Sequence, residues 1–193
     1  MKRIFVLFFI FVFCAVGCVA FLACDAKDDT PAPIRLQEGM RAEEIFDMLD
    51  RAYSYTIVAG DEDYRFSRSV GYTKLEEGVY DALFVDNGEG YRMTTRDGLK
   101  VEKVPVDTNF YNEINDVYDH YVQLLRDSFE NMTSREPVKF DLGANGYKAT
   151  IKIIMKKGEG DLSVFTCEIS NLNCTELFFP DELKNYKSLA DKG

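Results

Sequence analysis

Hydrophobic and polar positions divide the chain into three regimes. Residues 4–23 are apolar without one charge; they follow Met1-Lys2-Arg3 and end at Cys24. Residues 25–38 are a polar mix of Asp, Lys, Pro, Thr and Gln, which predicts a flexible tether. From Met40 the apolar residues take on the periods of folded elements. Ile45, Met48, Leu49 and Ala52 fall at helical spacing with Glu43, Glu44, Asp47 and Asp50 opposite, predicting an amphipathic helix of about 13 residues. It runs directly into a strand in which Tyr53, Tyr55 and Ile57 share one side.

A string of hairpins follows. Residues 64–75 and 79–85 read as strands, Asn87-Gly88 turns the chain, 91–95 returns, Asp97-Gly98 turns it again and 99–104 continues. Asn-Gly and Asp-Gly suit the left-handed backbone of tight hairpins, so the pattern predicts an antiparallel meander. Asp107-Thr108-Asn109 offers caps for a long helix carrying Phe110, Ile114, Val117, Tyr121, Leu124, Leu125, Phe129 and Met132. Strand signals resume at 138–142, turn at Asn145-Gly146, and continue through 147–155, a Gly158-Gly160 turn, and 162–169. A turn at Ser170-Asn171 then leads to strand 174–179 and a short polar C-terminal segment from Pro180. The predicted fold is α+β: a curved antiparallel β-sheet, or half-barrel, packed on a long α-helix, with an N-terminal helix before the first strand.

The first regime has the form of an export signal, with a basic start, an apolar segment and small residues before a cut. Phe21-Leu22-Ala23-Cys24 resembles the bacterial lipobox, whose cysteine is diacylated and becomes the new N-terminus; Ala15-Val16-Gly17-Cys18 is the rival match, and an uncleaved anchor and ordinary cleavage are further alternatives. The predicted organisation is a signal over 1–23, a lipidated Cys24 with tether over 24–38, and one domain over 39–193. Each reading places the bulk of the chain on the extracytoplasmic side of a cell membrane.

The chain carries 23 basic and 33 acidic residues. Lys2 and Arg3 are the only charges before Asp25, so loss of 1–23 leaves 21 against 33, a net of −12. Such a surface repels nucleic acid, and a monomer is expected. Beyond the signal and Cys24, the cysteines are Cys167 and Cys174; with a two-residue turn at Ser170-Asn171 they would face each other about 5.5 Å apart and form a disulfide, the alternative being two reduced thiols.

The motifs of serine hydrolases, P-loops and zinc proteases are absent, and no catalytic residue, metal or cofactor is expected. His120, the single histidine, reads as a solvated residue of the long helix. Asp61-Glu62-Asp63 lacks the spacing of a calcium loop. Asn131-Met132-Thr133 and Asn173-Cys174-Thr175 match a glycosylation pattern that a bacterial cell would not use. Arg65, Arg68, Arg92 and Arg96 could gather into a basic patch or pair singly with acids.

The strands carry more apolar residues than two helices would cover. A curved sheet of this kind can leave a groove for an acyl chain, and strand alternation nominates Tyr55, Ile57, Phe66, Met93, Ile151 and Ile153 as its lining. The helix from Ala42 to Leu49 leading into Tyr53–Ile57, the hairpins broken by one long helix, and Phe179-Pro180-Asp181-Glu182-Leu183 after the last strand resemble the LolA, LppX and LprG half-barrel lipoproteins. That resemblance implies a non-enzymatic protein that carries a lipid in an apolar concavity. The alternative is an envelope lipoprotein with no cavity that binds a protein partner through its sheet or loops.

Overall fold

Short turns set the topology. In this computed structural model, which describes residues 31–130, 134–135, 139–140, 148–156 and 162–193, the folded unit runs from Pro31 to Gly193. Helix α1 (Ala42–Arg51) leads into β1 (Ser54–Ala59), β2 (Glu62–Ser67), β3 (Gly71–Glu76), β4 (Val79–Asp86), β5 (Glu89–Thr94) and β6 (Lys100–Val104). Helix α2 (Thr108–Glu130) then precedes β7 (Ser134–Arg135), β8 (Lys139–Phe140), β9 (Lys148–Lys156) and β10 (Leu162–Ser170). A 3-10 turn (Asp181–Leu183) and a short helix α3 (Tyr186–Ala190) finish the chain. Among the described residues ten strands form one antiparallel sheet in the order β6-β5-β4-β3-β2-β1-β10-β9-β7, with β8 also paired to β9. The architecture is the expected α+β one, a curved, unclosed sheet on a long helix with a helix before the first strand.

The turns explain the meander. Asn87 and Gly88 take φ values of 51° and 80°, the double left-handed turn that suits strand twist. Glu77 and Gly78 do the same between β3 and β4, with φ of 48° and 80°. The stretch 64–75, which reads as one strand, is two: β2 and β3 are joined through Arg68-Ser69-Val70. That turn lacks Gly, Pro or Asn, and the compensating residue is Gly71, at φ 138°, where an added Cβ would meet the Leu83 carbonyl at 2.0 Å. The turns at Asn145-Gly146 and Gly158-Gly160 lie outside the described residues. Residues 174–179 are not a strand.

Caps fix the helices. Glu44 reaches back to accept the Arg41 N–H at 2.8 Å, and Asp107 Oδ1 accepts from the N–H groups of Asn109 and Phe110 at 2.9 and 3.1 Å. α1 buries Ala42, Ile45, Phe46 and Leu49. α2 buries Phe110, Ile114, Tyr118, Val122, Leu125 and Phe129, a stripe rotated from the expected one, so that Leu124 is left exposed and Val117 and Tyr121 half-buried. Tyr118 lies outside the expected stripe, and its hydroxyl has a buried use. It donates to the carbonyls of Leu49 at 3.2 Å and Ala52 where α1 ends, beside the Ala52 N–H that also reaches Leu49 O.

Strand alternation sends the two faces to different partners. Tyr55, Ile57, Tyr64, Phe66, Tyr72, Leu83, Ile151, Cys167 and Ile169 join the helices in one core. Tyr80, Ala82, Phe84, Tyr91 and Met93 point the other way and are covered by Leu177, Phe178, Phe179, Leu183 and Tyr186. The expected strand 174–179 and the start of the expected polar segment from Pro180 together form a strap that closes the reverse face. The domain also begins earlier than residue 39: Ile34 N–H donates to Leu172 O at 3.0 Å and Leu36 is buried, so residues 32–36 are docked instead of serving as tether.

Removing the Tyr118 hydroxyl takes a buried donor from the Ala52 and Leu49 carbonyls, which keep Arg68 Nε at 3.4 Å and the Ala52 N–H at 3.2 Å, respectively. Tyr118→Phe should lower stability by about 0.5–1.5 kcal/mol in urea unfolding, with the fold retained.

Candidate functional site

The described residues nominated for an acyl groove are packed into two separate hydrophobic clusters. Tyr55, Ile57, Phe66 and Ile151 lie on the concave face with at most 2% of their surface exposed. Tyr55 and Tyr118 meet at 4.4 Å between ring centroids, Tyr55 and Phe66 at 5.0 Å, and the Tyr55 hydroxyl donates to Tyr118 O at 2.6 Å. Burial pushes the Tyr55 phenol well above its ordinary range. Met93, 1% exposed, belongs to the reverse face and cannot share a lining with them. Ile153 lies on β9 opposite Phe165, and its side chain is outside the described residues. The concavity at the described positions is filled because Tyr55, Tyr64 and Phe66 of the sheet interleave with Tyr118 and Tyr121 of α2.

The two cysteines are free thiols instead of a disulfide. β10 pairs with β1 and β9, and Asn171 and Asn173, at φ 57° and 64°, turn the chain across β1, where the Asn173 N–H donates to Ser54 O at 2.7 Å. The hairpin that would align the cysteines therefore does not form. Cys167 is buried opposite Ile151, its thiol pushed up to about 12 by burial, while Cys174 is exposed. Asn173 also explains its own glycosylation pattern as chance. Its Oδ1 accepts from Tyr53 N–H at 2.6 Å and its Nδ2 donates to Ala32 O at 3.0 Å, so the amide is already engaged. Asn131, Cys18 and Cys24 lie outside the described residues.

Each arginine of the candidate patch is paired. Arg65 meets Asp63 at 2.9 Å, Arg68 meets Asp119 at 3.4 Å, Arg92 meets Glu113 at 2.7 Å and Arg96 meets Asp81 at 3.0 Å. His120 is exposed on α2. Among the described residues no three acids, histidines or cysteines cluster to hold a metal, and no helix is long and apolar enough to cross a membrane.

The reverse face carries two open clefts beside the strap. Phe84 is the floor of an aromatic cluster, with Phe179 at 4.7 Å and 70° and Tyr186 at 4.9 Å and 87°. Tyr80 OH donates to Phe178 O at 2.8 Å and Phe178 N–H donates to Thr73 Oγ1 at 3.2 Å, tying the strap to β3 and β4. Between the strap and β4 opens a cleft of about 350 Å³, bordered by Val70, Phe84, Asp86, Glu176, Phe179 and Tyr186. A second open cleft of about 640 Å³ lies on the strap's other side, beside Arg65 and Phe178. No sequence motif marks these clefts. The available signal was the cluster of Leu177, Phe178 and Phe179 next to a segment otherwise rich in charge.

Asp86 holds the strap's end. Hydrogen bonds from Lys187, at 2.8 Å, and from Tyr186 keep its carboxyl below the ordinary value of 3.8. A depressed carboxylate stabilises the fold above its ordinary value and loses that contribution as pH falls through the folded one. Hydrogen exchange at residues 183–191, corrected for intrinsic rates, should therefore speed up on acidification below about pH 4. Asp86→Asn should exchange faster already at neutral pH and respond less to acid.

No family model, no curated protein and no solved structure matches this chain, so what it does has to be read from its own residues.

Proposed function

We propose that this chain is a non-enzymatic extracytoplasmic protein, held to a membrane by lipid on Cys24, whose domain works by binding a protein partner through its surface. The anchor rests on the basic start, the apolar residues 4–23 and the switch to polar residues directly after Cys24. The surface-binding reading rests on one observation above others: Tyr55 and Phe66, central to the expected groove, are both 0% exposed. An acyl chain needs apolar walls with space between them, and these walls touch. The likeness to half-barrel lipid carriers then concerns architecture, with the concavity given over to packing.

Two measurements test the halves separately. Metabolic labelling with palmitate should mark the chain, should persist in Cys18→Ala and should vanish in Cys24→Ala; the reverse pattern would move the anchor to Cys18. Mass spectrometry of organic extracts from the exported chain should find no stoichiometric lipid beyond the covalent anchor. A stoichiometric free lipid would restore the carrier reading and sink the surface-binding one.

A further inference from the structure

The cleft between the strap and β4 has a definite chemical character. Its floor and walls are the rings of Phe84, Phe179 and Tyr186, its mouth carries the 41% exposed Val70, and its two ionisable borders are the carboxylates of Asp86 and Glu176. No basic side chain lines it. Asp86 is already engaged by Lys187 from outside the lining, which shows the cation that this corner accepts. Glu176 is exposed and has no ion-pair partner among the described residues.

We infer that this cleft is the contact site for a basic, extended segment of a protein partner, one lysine or arginine of which enters between Phe179 and Glu176. Aromatic faces attract a cation through their quadrupole, and a carboxylate at the rim adds a direct charge contact. The aliphatic stem of such a side chain lies against Val70 while its charged head reaches Glu176, the division of labour that long basic side chains make. A volume of about 350 Å³ has room for one long side chain. The open form of the site continues along the strap to the second cleft beside Phe178, which offers room for the residues that flank the inserted one. An acidic chain as a whole favours a basic partner, and this cleft sets the exposed carboxylate of Glu176 beside an aromatic recess whose lining carries no basic side chain, whereas Arg65 and Lys184 line the second cleft.

The inference rests on the surface-binding reading above and is tested apart from it. The probe is fluorescein-labelled hexalysine amide, titrated by anisotropy against the full chain in uncharged maltoside micelles at about 0.15 M salt, where diffuse attraction beyond ~8 Å is screened. Saturable binding is expected, weakened about three- to fivefold by Glu176→Gln and by Phe179→Leu, which keeps an apolar anchor in the strap. Glu77→Gln, an equal loss of charge on an exposed turn, should leave the affinity within about 1.5-fold, consistent with a contact that is local. Equal weakening by Glu77→Gln, indifference to Glu176→Gln, or absence of binding would overturn the cleft assignment. None of these results bears on the lipid-extraction test, so the two readings can fail independently.

Discussion

The end of helix α1 is the junction on which the rest of the domain depends. The chain passes from helix to strand between Arg51 and Ser54, so the last carbonyls of α1 have no further helical turn and take their donors from other elements and from the Ala52 N–H. Tyr118 of α2 supplies its hydroxyl to Leu49 O and Ala52 O, Arg68 of the β2–β3 turn approaches Ala52 O and Asp50 O at 3.4 and 3.5 Å, and its guanidinium sits 4.0 Å from the Tyr118 ring centre. Tyr55 of β1 then donates to the backbone of Tyr118. Two helices, the first strand and one hairpin turn are thereby fixed to one another by a single ring.

That arrangement decides what the concave face can be. Because a buried polar junction must be fully satisfied, α2 has to lie close against β1 and β2, and the aromatic residues between them fill the space. Apolar strand content in excess of what two helices cover invites the idea of a cavity. Here the excess has another cause. β4 sends Leu83 to the helices and Tyr80, Ala82 and Phe84 to the strap, so the strand is buried on both sides and reads as nearly continuous hydrophobe. The strap takes up that part of the surplus.

The strap also links the N-terminal entry of the domain to its outer surface. Asn173 joins Ala32, Tyr53 and Ser54 through its own amide and backbone, and Thr175 follows with its N–H on Ser54 Oγ at 3.2 Å. Glu176 and the aromatic cleft come next in the chain. A proposed contact surface thus begins a few residues from the loop that receives residues 32–34, the segment that leads back toward Cys24.

The sequence by itself determined whatever is local. The 3.6- and 2-residue periods fixed both main helices and most strands, Asn87-Gly88 and Gly98 fixed hairpins through their positive φ, and Asp107 fixed the start of α2. The proposed export signal and anchor are read there too, since they are linear patterns. Tertiary structure decided the rest. Alternation names two faces without saying what covers each, and the cover on β4 comes from Phe178, 98 residues away from Tyr80. Separation in sequence also hid the use of Tyr118, 69 residues from Leu49, the pairing of Arg92 with Glu113, 21 residues apart, and the bond from the Asn173 N–H to Ser54 O beside the turn that keeps Cys174 away from Cys167. Groove or solid core was a question of the space left between elements, and no period along a chain records that space.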